Sequence, residues 1–333
     1  MPTAVFLGGR FVEPQGAMVS AFDAGFQHAV GLFETLLGGV GPHGPWAWRL
    51  DRHVRRLVAS ARDLGLSPDL RAGPLAEAIL RTIDRSGLAR ARVRLTLTAG
   101  DLSLLHRPLP GEPERPGEAP APTPPSRDPT VLVAAQPATA YPEEMFERGV
   151  AVVIADARAS PLNPLEGHKT LSYWWRLREL QAAAARRAAE AVVLQVTNHV
   201  CGGCVSNLLL VRGGSLVTPI ARGEEAGGSD HPRTRDGAYL PSPVVPGTVR
   251  AWALERAAGL GLATERRMVT IDDLLDSDEA FLTNSSWGVL PVIKVESSAL
   301  GDGVPGKVAA ALHRDWRAEL ASLAAAAPAP AEP

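Results

Sequence analysis

The sequence predicts a mixed α/β (α+β) protein of two domains, a smaller N-terminal α/β domain and a larger, strand-rich C-terminal domain. The chain has 333 residues, against roughly 150 residues for a common single domain. Short apolar strands alternate with amphipathic helices up to about residue 100, and strands dominate from residue 131 onward. Between these parts, Pro and Gly recur too often in 107–130 for regular hydrogen bonding.

The N-terminal elements follow from the spacing of apolar residues. RLDRHVRRLVASARDLGL repeats them at helical spacing, with arginines on the opposite face, and stops near Gly65. A second helix is predicted from Pro74 to about Ser86, and Gly87 follows its end. ARVRLTLT alternates apolar and polar residues as a half-buried strand does. We place this domain at residues 1–130, with a disordered Pro-rich insertion at 107–130.

The C-terminal part, residues 131–325, is richer in strands. GVAVVIADA and AVVLQV predict strands, and NLLLVRGGSLVTP predicts a hairpin that turns at Gly213 and Gly214. KTLSYWWRLRELQAAAARRAAE predicts a long helix that begins beside Lys169. Further strands are expected at EAFLTNS and VLPVIKV, and a final helix at PGKVAAALHRDWRAELASL. The tail 326–333 is expected to be unfolded.

Composition excludes several classes of partner and location. The net charge of -2 gives no electrostatic reason to expect nucleic acid or an anionic membrane. The N-terminus lacks the pattern of a secretory signal, and the apolar runs are too short to span a bilayer. Two cysteines could form one disulfide at most, which is too few to stabilise a fold of this size. We therefore expect a cytoplasmic protein.

Lys169 is conspicuous because lysine is rare in this chain. Of the 34 basic residues, only Lys169, Lys294 and Lys307 are lysine. Arginine stays protonated, whereas a desolvated lysine amine can lose its proton and attack a carbonyl. Tyr173, four residues later on the predicted helix, would lie on the same face and could hydrogen-bond the captured molecule. A solvated lysine and a packing tyrosine are the alternatives.

Two stretches could bind an anion. VVPGTVRAW places Gly247, Thr248 and Val249 at a helix start, where free N–H groups attract phosphate. TNSSWG places Ser285 and Ser286 in a loop after a strand. An ordinary helix start and a capped turn are the alternatives.

HVCGGC raises the possibility of a metal or redox site at His199, Cys201 and Cys204. A structural zinc site needs four ligands, and the sequence has no second Cys-x-x-Cys pair. Packing of small residues in a tight turn is the favoured interpretation, and no metal is expected.

Taken in order, these motifs resemble the class IV aminotransferase family, which includes branched-chain and D-amino acid aminotransferases and aminodeoxychorismate lyases. The matching stretches are AFDAGFQHAVGLFETL, HVRRLVASA, HKTLSY, SNLLLV, LVTP, PGTVR, DEAFLTNS and VLPV. The resemblance implies two α/β domains with pyridoxal 5'-phosphate between them, and usually a homodimer.

The resemblance also implies residue roles. Lys169 would form the internal aldimine and shuttle a proton to and from the substrate α-carbon, and Tyr173 would contact the ring hydroxyl. Phosphate contacts are expected from Arg56, Gly247, Thr248, Val249 and Ser285. His28, Arg94 and Ser286 are substrate candidates. Arg94 lies where branched-chain enzymes have an arginine that contacts an acidic co-substrate, although an outward-facing strand arginine would look the same.

The sequence departs from the family pattern at the pyridine nitrogen. The family has a glutamate five residues before the Asn of the Ser-Asn strand, and counting back from Asn207 gives Gly202. No carboxylate is expected near this loop, because the nearest upstream acid, Glu190, precedes a strand. A neutral pyridine would be a weaker electron sink. Ala99 replaces an arginine of D-amino acid aminotransferases, which argues against that activity.

The functional prediction is an aminotransferase that acts on an amino acid and a 2-oxo acid through a Lys169 aldimine. An aminodeoxychorismate lyase-like enzyme is the first alternative. A scaffold that binds its ligand without turnover, because Gly202 replaces the glutamate, is the second.

Overall fold

The computed structural model describes residues 3–67, 69–101, 129–227 and 231–326. The expected insertion at 107–130 lies outside the described residues except at 129 and 130. The expected tail also lies outside them, except for Ala326, which ends a helix.

The described residues form two sheets, and the first has six strands in the order β2-β1-β6-β5-β3-β4. These strands are β1 (Ala4–Leu7), β2 (Arg10–Val12), β3 (Gly31–Gly41), β4 (Gly44–Ala47), β5 (Ala91–Thr98) and β6 (Val131–Pro137). All of their pairings are antiparallel.

Three helices belong to this part: α1 (Ala24–His28), α2 (Leu50–Asp63) and α3 (Ala72–Ser86). Helices α2 and α3 cover one face of the first sheet. Leu57 of α2 and Ile79 of α3 pack with Leu36 and Leu95 of the strands in one buried cluster. The two longer helices and β5 confirm the elements that apolar spacing predicted.

The second sheet has nine strands. They are β7 (Val150–Ala159), β8 (Glu190–Gln195), β9 (Val200–Gly203), β10 (Asn207–Arg212), β11 (Ser215–Pro219), β12 (Ala263–Arg267), β13 (Glu279–Asn284), β14 (Gly288–Val295) and β15 (Ser298–Ala299). Their order is β12-β11-β10-β13-β14-β7-β8-β9, and β15 pairs with β14. The predicted hairpin is present, because β10 and β11 pair across Gly213 and Gly214.

The helices of the second part are α4 (Glu144–Glu147), α5 (Trp174–Ala185), α6 (Thr248–Arg256), α7 (Ile271–Leu275) and α8 (Lys307–Ala326). None of the helices in the described ranges is long and apolar enough to cross a bilayer.

Three tryptophans tie the two sheets together. Trp48, just after β4, meets Trp252 of α6 edge-on at 6.4 Å and Trp316 of α8 at 6.3 Å between ring centres. Glu319 accepts hydrogen bonds from the indole N–H groups of Trp48 and Trp252, at 3.0 and 2.8 Å. Because these aromatic groups are almost fully buried, they fix the first sheet against α6 and α8.

The structure differs from the sequence predictions in two places that affect the site. Strand β6 lies beyond the proposed domain boundary at residue 130, yet it pairs with β1 and β5 of the first sheet. The predicted long helix near Lys169 begins only at Trp174, with Tyr173 as its N-cap.

Candidate functional site

A cavity of about 540 Å³ lies between the two sheets and collects most of the candidate residues. Those that line it are Arg56, Arg94, Lys169, Tyr173, Gly247, Thr248, Val249, Ser285 and Ser286. His28 is not among the lining residues and is exposed on α1. The cavity is bounded by β3 and β5 on one side, and by the loop before Asn207 and the start of α6 on the other.

Lys169 lies on an extended segment, not on the predicted helix. Phe33 N–H donates to the Lys169 carbonyl at 2.9 Å, and Leu171 N–H donates to the Gly31 carbonyl at 2.9 Å. These hydrogen bonds pair the segment with the start of β3. They give its backbone N–H and C=O groups partners without a helical turn. Lys169 is therefore attached to the first sheet, although its chain segment leads into the second.

The ring of Phe33 brings Lys169 and Tyr173 together. The Lys169 Nζ atom lies 4.5 Å from the ring centre. Tyr173 packs edge-on against the same ring at 5.3 Å. The proximity that helical spacing predicted thus arises from a shared aromatic contact.

Burial controls the charge of the Lys169 amine. Desolvation lowers its pKa to about 8, and the charges of Arg56, Arg94 and Arg176 act in the same direction, against the opposing effect of Glu34. The amine is therefore partly deprotonated close to neutral pH, as attack on a carbonyl requires.

Arg56 is held at one end of the cavity by Glu34, a residue that sequence reasoning missed. Arg56 Nε and Nη2 donate to the two Glu34 carboxylate oxygens at 2.7 Å each, and Nη1 donates to the Pro246 carbonyl at 2.8 Å. Burial alone would raise the pKa of Glu34, but Arg56 and His53 outweigh it and lower the pKa to about 2.

His53 extends this network to Ser285. Its Nδ1 lies 2.8 Å from a Glu34 carboxylate oxygen, and its Nε2 lies 3.3 Å from the Ser285 hydroxyl. Burial lowers the pKa of His53. The signal in the sequence was the spacing of His53 and Arg56, which places both on one face of α2.

The start of α6 completes an anion-binding arrangement. The N-cap residue Gly247 has no side chain to cap the helix, so the first N–H groups are open to a ligand. A Cβ atom at Gly247 would fall 1.8 Å from the Asn207 side-chain oxygen. Together with Arg56 and Ser285, these N–H groups suit a phosphate.

The side of the cavity that carries the start of α6 is also lined by β9, which contains Gly202, and by the loop that follows it. The Tyr173 hydroxyl donates to the Cys204 carbonyl at 2.9 Å, and burial raises the pKa of Tyr173 to about 12. Burial also raises the pKa of Cys201 and Cys204 to about 12, so both thiols are neutral. Within the described ranges, no three His, Cys, Asp or Glu side chains form a group that could hold a metal.

Gly202 has a backbone conformation that suits glycine. Its φ is 140°, and a Cβ atom would lie 2.9 Å from the Ser206 carbonyl oxygen. The expectation that no carboxylate lies near this loop was wrong, because Glu190 lies behind it. Its carboxylate accepts from the N–H groups of Cys204 and Val205 and from the Ser206 hydroxyl, at 3.0 to 3.2 Å. The Glu190 carboxylate is therefore engaged in hydrogen bonds with this loop. Among the described residues that line the cavity, none is Asp or Glu.

The cavity is instead rich in arginine. Arg176 is ion-paired with Glu166 at 2.7 Å. Arg92 and Arg94 also line the cavity, and neither forms an ion pair or a side-chain hydrogen bond with a described residue. Sequence reasoning missed Arg92, because strand alternation alone does not distinguish a cavity-facing side chain from a solvated one.

Sequence comparisons find similar proteins over most of the chain. The family model described as "Amino-transferase class IV" matches residues 31–295. An aminodeoxychorismate lyase of Bacillus subtilis is 23% identical over 325 residues, covering 96% of this chain and 95% of the relative.

Two solved structures share the fold. The branched-chain amino acid aminotransferase of Escherichia coli aligns with a TM-score of 0.78 at 22% identity, covering 96% of this chain and 94% of that one. The 4-amino-4-deoxychorismate lyase of Pseudomonas aeruginosa aligns with a TM-score of 0.72 at 28% identity, covering 95% and 99%.

Proposed function

Because the chain belongs to the class IV aminotransferases, whose cofactor is pyridoxal 5'-phosphate, we propose that it transfers an amino group between an amino acid and a 2-oxo acid. The observation that carries this proposal is the desolvated Lys169 amine in the same cavity as the anion-binding start of α6. A carbonyl-seeking amine and a phosphate cradle are the two features that a phosphorylated aldehyde requires.

The phosphate would be held at the end of the cavity near α6. Arg56 supplies a guanidinium already oriented by Glu34, and Ser285 supplies a hydroxyl. The backbone N–H groups of Thr248 and Val249 add the positive end of the helix dipole.

Lys169 would carry the chemistry at its Nζ atom. When bound, pyridoxal phosphate supplies an electron-accepting ring beside its aldehyde carbon. The lysine amine would bind that aldehyde, and would later take a proton from the substrate α-carbon and return it. With a pKa of about 8, the amine can do both near neutral pH. Tyr173 would orient the ring through its hydroxyl, which already contacts the far wall.

A lyase of the aminodeoxychorismate type is the second candidate. The observation that favours it is Gly202, where the family's glutamate is missing and no described cavity residue is acidic. A weaker electron sink limits a two-stage amino transfer more than a single elimination that releases pyruvate. A chain that binds the cofactor without turnover is the remaining alternative.

We also propose a homodimer in the cytoplasm. Large apolar side chains are exposed on α1 and on the chain to either side of Lys169, namely Phe26, Leu162 and Trp174, each about four-fifths exposed. A second copy would cover such side chains. Cys201 and Cys204 are both free, which suits a reducing compartment.

Absorption spectroscopy tests the proposed function. Purified protein supplied with pyridoxal phosphate should develop a visible band that borohydride removes, and Lys169→Ala should lack it. Lys294→Ala, which changes an exposed lysine on β14, is the matched control and should keep the band. A wild-type protein that stays colourless would contradict the proposal.

The same sample separates the alternatives. Single amino acids should convert the band to that of the pyridoxamine form if the chain is an aminotransferase. Release of pyruvate from added 4-amino-4-deoxychorismate, without conversion of the band by single amino acids, would support the lyase. If none of the amino acids changes the spectrum and no pyruvate is released, the result would support cofactor binding without turnover.

A further inference from the structure

We propose that Arg176 takes the place of the family's missing carboxylate, so that its guanidinium donates a hydrogen bond to the pyridine nitrogen of the bound cofactor and keeps that nitrogen unprotonated. The proposal rests on the proposed function and adds to it a residue that contacts the cofactor ring. Its starting point is Gly202, which offers the ring nitrogen no side chain.

The start of α5 lies beside β9, the strand that contains Gly202. Tyr173, the N-cap of α5, donates through its hydroxyl to the Cys204 carbonyl at 2.9 Å. Arg176 follows three residues later and lies on the same face of the helix as Tyr173. Arg176 lines the same cavity as Cys201 and Cys204, the cysteines on either side of Gly202. The guanidinium is therefore on the side of the cavity where the carboxylate is missing.

The charge of Arg176 reaches both the reacting amine and the two cysteines. Burial is the main cause of the lowered pKa of Lys169, and the charges of Arg56 and Arg176 lower it further. Burial raises the pKa of Cys201 and Cys204, and the charge of Arg176 opposes this effect at both thiols. Lys169 thus lies between Arg56, at the proposed phosphate end, and Arg176, beside the two cysteines.

The geometry of the cofactor turns its nitrogen toward this side of the cavity. In pyridoxal phosphate the nitrogen lies across the ring from the aldehyde carbon, so a ring whose aldehyde meets Lys169 points its nitrogen away from that amine. The phosphate would occupy the end near α6. On the wall formed by the first sheet, Arg94 stacks on Phe33, with its guanidinium carbon 3.9 Å from the ring centre. The side that carries Gly202 and Arg176 remains for the nitrogen.

Glu166 holds Arg176 in place as a charged group. Arg176 Nη2 donates to a Glu166 carboxylate oxygen at 2.7 Å, and both side chains are about nine-tenths buried. Burial alone would lower the pKa of Arg176, but the charge of Glu166 outweighs it and raises the pKa. A guanidinium has five N–H groups, so this ion pair leaves donors for a ring nitrogen.

A guanidinium and a carboxylate have opposite effects on a pyridine nitrogen. A carboxylate accepts a hydrogen bond from the protonated nitrogen and stabilises its positive charge. A guanidinium keeps its own protons and repels a second positive charge, so the nitrogen stays neutral and accepts a hydrogen bond instead. The thiols of Cys201 and Cys204 are weak donors by comparison. Arg176 therefore suits an unprotonated ring.

Nitrogen NMR of the holoenzyme tests the protonation state of the ring without turnover. The protein is loaded with pyridoxal phosphate that is isotope-labelled at the ring nitrogen. The signal should fall at the position of a neutral, hydrogen-bonded pyridine. A signal at the position of a pyridinium ion, in protein that shows the visible cofactor band, would overturn this proposal and leave the proposed function intact. A wild type that never binds cofactor contradicts the proposed function instead.

A cofactor analogue without the nitrogen tests the hydrogen bond. In the deaza analogue of pyridoxal phosphate, a C–H group replaces the ring nitrogen. The wild type should bind pyridoxal phosphate about tenfold more tightly than this analogue, because the analogue leaves a buried N–H group without an acceptor. The double variant Arg176→Met with Glu166→Gln should bind both about equally. It removes the ion pair as a whole, so no buried charge is left unpaired.

Arg178→Met is the matched control, because Arg178 is an exposed arginine on the same helix that does not line the cavity. It should keep the wild-type preference. Equal affinity of the wild type for both cofactors would overturn the proposal, and so would a wild-type preference in the double variant.

A second measurement decides if circular dichroism shows that the double variant does not fold. Wild-type protein that is isotope-labelled at arginine Cζ should show a direct dipolar coupling to the labelled ring nitrogen, and the coupling should persist in Arg94→Lys. Absence of the coupling, or its loss in Arg94→Lys, would overturn the assignment to Arg176.

Discussion

Glu34 of β3 and Arg56 of α2 share two hydrogen bonds, each 2.7 Å long. The pair joins the first sheet to the helix that covers it, and it aims the guanidinium at the end of the cavity where α6 begins. The same carboxylate contacts His53, which reaches Ser285. One buried carboxylate thereby positions two of the proposed phosphate contacts.

Replacing Glu34 by Gln should destabilise the protein and weaken cofactor binding. Arg56 would keep its charge without a full partner, and removing one partner of a buried ion pair costs about 3 kcal/mol. Denaturant unfolding with and without pyridoxal phosphate measures both effects. Glu77→Gln, in an exposed pair with Arg81, is the control and should leave both unchanged. Wild-type stability of Glu34→Gln would contradict the assigned role.

The same pair predicts how stability depends on pH. The pKa of Glu34 is lowered from 4.5 to about 2 in the folded protein. Its contribution is therefore fully present above pH 4.5 and is lost as the pH falls toward 2. Urea midpoints measured between about pH 6 and about pH 2.5 should fall more steeply for the wild type than for Glu34→Gln. If the urea midpoints of the two proteins fell in parallel with pH, Glu34 would not be the source of this pH dependence.

The Lys169 amine should react at a lower pH than an ordinary lysine. Its pKa is lowered from 10.5 to about 8, so about half of the amine is uncharged at a pH near 8. The rate of covalent reaction of the cofactor-free protein with pyridoxal, which has no phosphate to titrate, should rise with a midpoint near pH 8. Nα-acetyl-lysine is the reference, and Lys169→Ala should lose the component with this midpoint and keep only the reaction of Lys294, Lys307 and the N-terminal amine. A midpoint near the ordinary lysine pKa of about 10.4 would contradict the desolvated amine.

Local patterns predicted the elements whose stability is local. The predictions of helix α2 and strand β5 were correct, because the apolar residues of each recur at the spacing that places them on one buried face. The start of α5 was wrong because residues 169–171 pair with the distant strand β3, and tertiary pairing overrides helix propensity. Arg56, Lys169 and Ser285 were recognised from motifs, and they line one cavity. Glu34 and Arg92 required the structure, which shows what each side chain contacts.

Restoring the missing carboxylate at Gly202 should not be possible by one substitution. A side chain there would need a φ of 140° and would place Cβ 2.9 Å from the Ser206 carbonyl oxygen. Gly202→Glu should lower the free energy of unfolding by about 2 kcal/mol, and it should not increase the rate of conversion to the pyridoxamine form.

Gly259→Glu is the control for added charge and size, since Gly259 has ordinary φ and open space around it. It should be close to the wild type in thermal unfolding. A stable Gly202→Glu protein with faster conversion would mean that the loop can adopt the family's arrangement.

The backbone bonds between the Lys169 segment and β3 limit how the protein can move. A hinge motion that moved the Lys169 segment away from β3 would have to break two backbone hydrogen bonds. These are the bonds from Phe33 N–H to the Lys169 carbonyl and from Leu171 N–H to the Gly31 carbonyl. The reactive lysine should thus stay fixed relative to the Phe33 wall while ligands come and go. The amide protons of Phe33 and Leu171 should accordingly exchange with solvent as slowly as those inside the sheets, with or without a ligand.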